Sequence, residues 1–426
     1  MRPPVSTWPV RISIFLWTLG TAVSQQTWKV QCNGGPGVNF TDLPQAVAAA
    51  SPGDTILVYG TLTTCPGVSY YTAPIINKPL HIVGLNTFGA PGNSTPTFAI
   101  LNGVIRVQNI PAGQQVTISN ILVTRTFPVA PAGIEITNCQ GAVVVEDLYY
   151  DSLGIAGTVM RVNQSTNVVF RGCQLAMGGN ALEVTDSNVL LTTTFISHFP
   201  PWPGQNAYTQ TTEGLNLVRS TATLVGSDVR GCSLMNPALS AMSARRAVLL
   251  DNSTLRIGHA SIVVGGVTGS SPTQYLASYG IAPPPSVSAV HRDPHSTMAA
   301  LPVPSIVIST IIPAAYHSWV VAGENYGVTV GGHNDGFALL LLGDLNPLPT
   351  PTPFGPIAID PMTATFVDLV TTPAPGGFHQ WTFHCPTSAP NGYAFAFQAL
   401  TLSPSGTIGF SEPSPLTVGW QHGRIP

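Results

Sequence analysis

Between residues 133 and 264 the chain repeats one pattern five times, and this constrains the fold more than any other feature of the sequence. The repeats are "GIEITNCQGAVVVEDLYY" (133–150), "MRVNQSTNVVFRGCQLAM" (160–177), "ALEVTDSNVLLTTTFISH" (181–198), "GLNLVRSTATLVGSDVRG" (214–231) and "AVLLDNSTLRIGHASIVV" (247–264). Each contains three short apolar segments separated by corners of Asn, Ser, Thr, Asp or Gly. Self-similarity at this period marks a solenoid. One unit is too thin to bury its own Val, Ile and Leu, and stacking units closes a continuous core. Short strands joined by polar corners make a parallel β-helix, with coils about 4.8 Å apart along the axis.

That spacing bears on the cysteines. "RGCQL" (171–175) and "RGCSL" (230–234) occupy matching places with one unit between them. Two coil steps are roughly 9.6 Å, beyond the roughly 7 Å that a disulfide spans between Cα atoms. Cys173 and Cys232 are therefore expected as inward-facing free thiols. Six cysteines allow fifteen full pairings. Cys32 and Cys65 flank the stretch discussed next and are the pair expected to form a disulfide.

Ahead of the repeats lies "TDLPQAVAAASPGDTILVYG" (41–60). Its alanine-rich first half suits about two helical turns with Asp42 as N-cap. Pro52-Gly53 ends the helix, and "TILVYG" is expected to follow as the first strand, the edge on which later coils stack. The open end of a solenoid exposes core and unpaired strand edge, and a short helix laid across it closes both.

"FTDLPQAVAAASPGDTILVYGTL" (40–62) followed by "INKPLHIVGLN" (76–86) resembles the start of right-handed parallel β-helix proteins of the pectin lyase-like superfamily. The matching positions are Ala46, Val47, Ala49, Ala50, Gly53, Asp54, Thr55, Gly60, Lys78, Pro79, Leu80, Ile82 and Gly84. The resemblance implies an all-β right-handed parallel β-helix with an N-terminal capping helix. It says little about activity, because the superfamily includes lyases, hydrolases, epimerases, binding proteins and adhesins.

Four parts are expected: a signal peptide (1–24), the β-helix (25–270), a Pro/Ser-rich irregular connection (271–304) containing Pro283-Pro284-Pro285, and a C-terminal β-sandwich-like module (305–426). The signal reading rests on Arg2 and Arg11, the apolar run Ile12 to Val23 and the small residues at 22–24. That run is too short to span a membrane, so the protein is expected to be secreted or on a cell surface. Removing Arg2 and Arg11 from the 15 basic residues leaves 13 against 18 acidic ones. A mildly acidic chain with so few basic groups argues against nucleic acid as a partner. Asn39, Asn93, Asn163 and Asn252 begin Asn-x-Ser/Thr sites, usable in a glycosylating host.

Catalysis on the outer face of such a coil needs charges at matching positions of adjacent coils: paired carboxylates for hydrolysis, or a base with basic groups or a cation for elimination. Glu146 and Asp147 follow the second apolar segment of one repeat, and Arg171 follows that of the next. Asp151, Arg161, Asp186, His198, Asp228 and Arg230 are scattered around them. These residues read as an acid/base cluster or as a ladder of solvated surface ion pairs, and the ladder is favoured because such pairs are common and usually inert. The resemblance supports that choice. The chain lacks the Asn-Thr-Asp, Asp-Asp, Gly-His-Gly and Arg-Ile-Lys elements of polygalacturonase-like hydrolases, and Arg125 is not set in the Arg-x-Pro-x-x-Arg of pectate-lyase-like enzymes.

Two polar clusters are weaker still. "HRDPH" (291–295) sets His291, Asp293 and His295 together as metal ligands or as a solvated loop, and the loop is favoured because the expected connection offers no strand or helix to fix them. "GGHNDG" (331–336), with His333 and Asp335, reads as a turn where Asn, Asp and Gly are conformationally favoured rather than as a Ca²⁺ loop, for which the ligands are too few. No metal and no cofactor is expected. "HFPPWPGQNAYTQ" (198–210) places Phe199, Trp202 and Tyr208 in a long insertion at one corner. Such insertions form binding faces on solenoids, and aromatic rings suit sugars; the equal alternative is that Trp202 folds back to cover the solenoid's side, since large aromatics are mostly buried. The expected function is a non-catalytic structural or carbohydrate-binding role on polysaccharide, with a polysaccharide lyase or glycoside hydrolase as the alternative.

Overall fold

The structure is a computed structural model. It describes residues 25–60, 70–85, 99–124, 133–151, 158–176, 181–197, 214–230, 247–258, 261–264, 280–281, 289–293, 296–299, 306–309, 314–317, 323–354, 356–373, 377–389, 394–411 and 413–417. The signal segment, Asn93, Cys65, Cys232, Arg125, His198, Phe199, Trp202, Tyr208 and His295 lie outside the described residues.

Every repeat contributes one strand to each of three parallel sheets, as the pattern predicts. In the first repeat these are Ile134–Thr137, Ala142–Glu146 and Tyr149–Asp151. In the next they are Met160–Asn163, Asn167–Arg171 and Gln174–Ala176. Among the described residues the leading sheet has 8 strands, the broad sheet 11 and the trailing sheet 9, each stacked strictly in chain order. This is a right-handed parallel β-helix. Alternate residues point inward, so Val143, Val145, Val168 and Phe170 enter the core while Val144 and Val169 face outward.

Two corners of each coil turn on one residue in the left-handed region. Asn109, Asn138, Gln164, Asp186, Arg219 and Asn252 follow the leading-sheet strands, and Asn120, Asp147, Gly172, Thr193 and Gly226 follow the broad-sheet strands. Gly, Asn and Asp adopt this conformation at least cost, which explains the polar corners of the repeat.

The next residue in the first corner forms a buried stack. The amide of Cys139 donates to Ser165 Oγ at 3.1 Å, Ser165 to Ser187 at 3.0 Å, Ser187 to Ser220 at 3.1 Å and Ser220 to Ser253 at 3.0 Å. Each hydroxyl donates in turn to the carbonyl two residues back, as Ser187 does to Thr185 at 2.6 Å. The stack thus satisfies backbone groups that burial would otherwise leave unpaired. The second corner repeats the device, with Thr194 donating to Ser227 Oγ and Ser227 to Ser261 Oγ. Cys139 and Cys173 take the serine place in their coils, and both are buried free thiols. Burial pushes the Cys173 thiol up to about 12.

The opening stretch behaves as a lid. The helix Leu43–Ala49 is capped by Asp42, whose carboxylate accepts from the Leu43 amide at 2.8 Å and the Thr72 amide at 2.9 Å. It buries Leu43, Ala46 and Val47 over the first coil. The conspicuous motif residues all have structural work. Lys78 donates to the carbonyls of Ala48 and Ala50 at the helix end. Asp54 accepts from Trp28 Nε1 and from the Gln26 and Ser51 amides. Gly84 lies against Asn120, where a Cβ would come within 1.9 Å of the Asn120 carbonyl oxygen. One expectation is corrected: "TILVYG" is not the edge strand, because Thr27–Val30 pairs in parallel outside it.

A second correction concerns the expected connection. Ala289–Arg292 and Ile306–Ser309 extend the broad sheet, and Thr297–Ala299 extends the trailing one. The coil therefore continues to Ser309, with Pro-rich segments running between its strands. Beyond it, two antiparallel sheets pack face to face. Ala314–His317, Asn325–Gly331 and Phe378–His384 form one, and Gly336–Gly343, Thr365–Thr372, Ala394–Leu402, Ile408–Phe410 and Ser414–Thr417 form the other. Tyr326, Val328, Val330, Leu340 and Phe397 fill the space between them. Cys385 at its margin is a buried free thiol.

Candidate functional site

The charged residues singled out in the sequence fall into two groups with opposite environments. On the leading sheet, the paired register sets Arg106, Glu135, Arg161 and Glu183 side by side on successive coils. Arg106 meets Glu135 at 3.0 Å, and Arg161 meets Glu183 at 3.0 Å and Glu135 at 3.9 Å. At the corners Asp186 pairs with Arg219 at 2.7 Å, and on one trailing-sheet strand Asp228 pairs with Arg230 at 2.6 Å. All keep solvent access, and they form the surface ladder expected of such residues.

Glu146 and Arg171 do not belong to that ladder. They sit opposite each other on neighbouring strands of the broad sheet, with Nε of Arg171 3.4 Å from Oε1 of Glu146. Register continues the row to Ser119 on one side and Thr192 on the other. All four are buried, Glu146 being 1% exposed and Arg171 3%. The expectation of a solvated pair is overturned here, and the cause is distant in sequence. The outward face of the broad sheet is the seat of the C-terminal module: Ala142, Val144, Val169, Leu190 and Val225 form one apolar cluster with Leu345, Ala358 and Ala396. Glu146 and Arg171 point from that same face, two residues along their strands from Val144 and Val169.

Asp147 holds the left-handed corner position just after Glu146, with a φ of 51°. Part of its surface is open to solvent. Dehydration nevertheless pushes its carboxyl well above the usual carboxylate range; Arg171 pulls it down, and Glu146 adds to the rise. The structure therefore brings Glu146, Asp147 and Arg171 together, within a wall rather than a groove. Sequence reading placed these three in register but missed Ser119 and Thr192, which the same register identifies. It also missed His81 on the broad sheet, whose buried Nδ1 has no hydrogen-bond partner and whose dehydration lowers its pKa.

The remaining candidates separate. Asp151 ends a trailing-sheet strand. "HRDPH" is not a solvated loop: His291 and Arg292 lie on a broad-sheet strand and Asp293 is 1% exposed. His333 and Asp335 fall in the turn that carries the chain from Asn325–Gly331 of one sheet to Gly336–Gly343 of the other, with Asp335 in the left-handed region. Among the described residues no three His, Cys, Asp or Glu converge as a metal-binding group, and no helix is long and apolar enough to cross a membrane. Cys32 is disulfide-bonded.

Fold and site together define a parallel β-helix protein that carries an antiparallel β module on its broad sheet. No family model and no curated protein matches the chain. Among solved structures it is similar to the enzymatically active domain of tailspike protein 2 from bacteriophage CBA120, at 9% identity and a TM-score of 0.29, covering 86% of this chain and 64% of that one. The full-length tailspike protein 2 of an Escherichia coli O157:H7 bacteriophage gives 11% identity and a TM-score of 0.28, covering 88% of this chain and 59% of that one. The chain thus spans about three fifths of the structures it resembles. The class rests on the stacked sheets themselves.

Proposed function

We propose that this chain is an exported, surface-acting β-helix protein with a non-catalytic structural or carbohydrate-binding role. The observation behind this reading is the burial of Glu146 and Arg171 on the face where the C-terminal module seats. A polymer cannot reach a carboxylate that is 1% exposed, and general acid/base chemistry requires hydrogen-bond reach to the bond being cut. The leading-sheet charges Arg106, Glu135, Arg161 and Glu183 alternate in sign along one register row, as register-setting contacts do. A carbohydrate contact would fall to the corner insertion bearing Phe199, Trp202 and Tyr208.

The rival reading is a polysaccharide lyase or glycoside hydrolase. Its support is Asp147, a carboxyl that holds its proton beyond the ordinary range next to Glu146 and Arg171, since displaced ionisation is common at catalytic groups. Incubating the full chain with acidic and neutral polysaccharides separates the two. Retention on a glycan without new reducing ends or unsaturated uronate absorbance supports the binding role. Cleavage that disappears in Asp147→Asn establishes the enzyme instead.

A further inference from the structure

The outward face of the five-stranded antiparallel sheet is mostly apolar, and among the described residues only one end of it is covered. Antiparallel register sets Leu402 opposite Phe337, Leu400 and Leu369 opposite Leu339, and Phe366 opposite Leu341. Directly opposed residues share a face, and Ala338, Leu340 and Ala399 take the other one, in the module core. At the covered end Ala396, on the same side of its strand as Leu400 and Leu402, packs against Val144 and Val169 of the coil. Beside it Gln398 is buried, accepting from the Ala358 amide and donating to the carbonyls of Pro356 and Ser411. At the other end Phe366 is 57% exposed, Leu369 55%, Phe337 45%, and Leu402 and Ile408 36% each.

A face half used as an interface and half open invites a second occupant of the same chemistry. From the exposures, the five side chains leave roughly 450 Å² of apolar surface. That exceeds scattered surface hydrophobicity and is on the scale of a functional patch. It would supply the apolar centre of a standard interface, which removes about 800 Å² from each partner, with the exposed Thr371 on its rim.

Charge narrows the choice of occupant. Between residues 305 and 423 the chain holds no Lys or Arg, while it carries Glu324, Asp335, Asp344, Asp360, Asp368 and Glu412. A polyanion such as nucleic acid, an acidic glycan or an anionic bilayer would meet only like charge. An uncharged sheet face, by contrast, matches a copy of itself turned about a twofold axis, with the two sheets packed about 10 Å apart. We propose that this face is the contact between two copies of this chain in a twofold dimer.

The test measures the mass of the full chain by light scattering and sedimentation at micromolar concentration. A dimer is expected. Leu369→Lys, which places a charge on the exposed edge strand of the face, is expected to raise the dimer dissociation constant about 30-fold or more. Phe366→Ser acts as a second variant, and unchanged circular dichroism shows that either one folds. Ile75→Lys, an equally exposed residue on the coil (51%), leaves the dimer intact. A monomeric wild type, an assembly above two copies, or a dimer indifferent to Leu369→Lys and Phe366→Ser overturns the proposal. A monomer that co-sediments with phosphatidylcholine vesicles overturns it too and assigns the face to a lipid surface.

Discussion

Replacing Arg171 by Met removes the cation that faces the Glu146 carboxylate on the covered face of the broad sheet. At 3.4 Å and an effective dielectric near 20, the attraction between the two charges is about 5 kcal/mol. Much of that offsets the dehydration of both groups, so the net value of the pair is small. Removing one partner forfeits the attraction and keeps the dehydration of the other, costing about 3–5 kcal/mol. The double variant Glu146→Leu/Arg171→Met removes both terms and should be neutral, or stabilising by about 1–4 kcal/mol. Urea unfolding followed by tryptophan fluorescence reads the effect through its midpoint, because a coil with a docked module need not unfold in one two-state step. The internal control is Arg219→Met. Its ion pair with Asp186 is shorter, at 2.7 Å, but Arg219 is 53% exposed, and its loss should leave the midpoint nearly unmoved. If Arg171→Met behaves like Arg219→Met, the broad sheet is open to solvent and the burial argument fails. If the double variant is as damaged as the single, the attraction was net stabilising and the dehydration was overestimated.

Asp147 titrates above its unfolded range when folded, so its contribution to stability is complete below the unfolded pKa and is lost as pH rises through the folded one. Asp147→Asn, which also suits the left-handed backbone, should raise the melting temperature at pH 7 and leave it almost unchanged in acid, by calorimetry. Gly84→Ala drives a methyl group to 1.9 Å from the Asn120 carbonyl oxygen. Gly84 is held in the broad sheet and Asn120 in a corner whose amide bonds the Glu146 carbonyl, so a loss at the upper end of overpacking, about 3 kcal/mol or more, should appear in thermal melts. Ser187→Ala strands the Ser165 amide inside the corner and should cost about 1–3 kcal/mol. Ser187→Cys should cost clearly less on the same measurement, since Cys139 and Cys173 already occupy equivalent places.

The repeats were legible because each coil carries its own instructions: aliphatic residues at alternate positions, and a corner residue tolerant of the left-handed region followed by Ser or Cys. The helix, its Asp42 cap and the Pro52-Gly53 stop were legible for the same local reason. Reading failed where strands shrink to two to four residues among prolines, as at Ala289–Arg292, since three or four residues show no period. It failed again at Glu146 and Arg171. An outward position on a strand looks the same in sequence whether it faces water or a module formed some 200 residues later, and nothing local reports that Leu345, Ala358 and Ala396 will arrive.

The serine stack explains how such a chain can drift beyond the reach of sequence comparison while keeping its shape. The corner asks only for a small group that can both donate and accept, and thiol or hydroxyl will do; the turn before it asks only for tolerance of a positive φ. The strands ask for aliphatic bulk and do not distinguish Val from Ile. The fold thus asks for a residue class at each place, and a substitution within the class keeps the register even where it costs some packing. The spans between trailing and leading strands are freer still: five residues separate Ala176 from Leu182, and seventeen separate Ser197 from Leu215. Length can change there without moving any rung, so novelty accumulates on one side of the molecule while the other two corners hold the count.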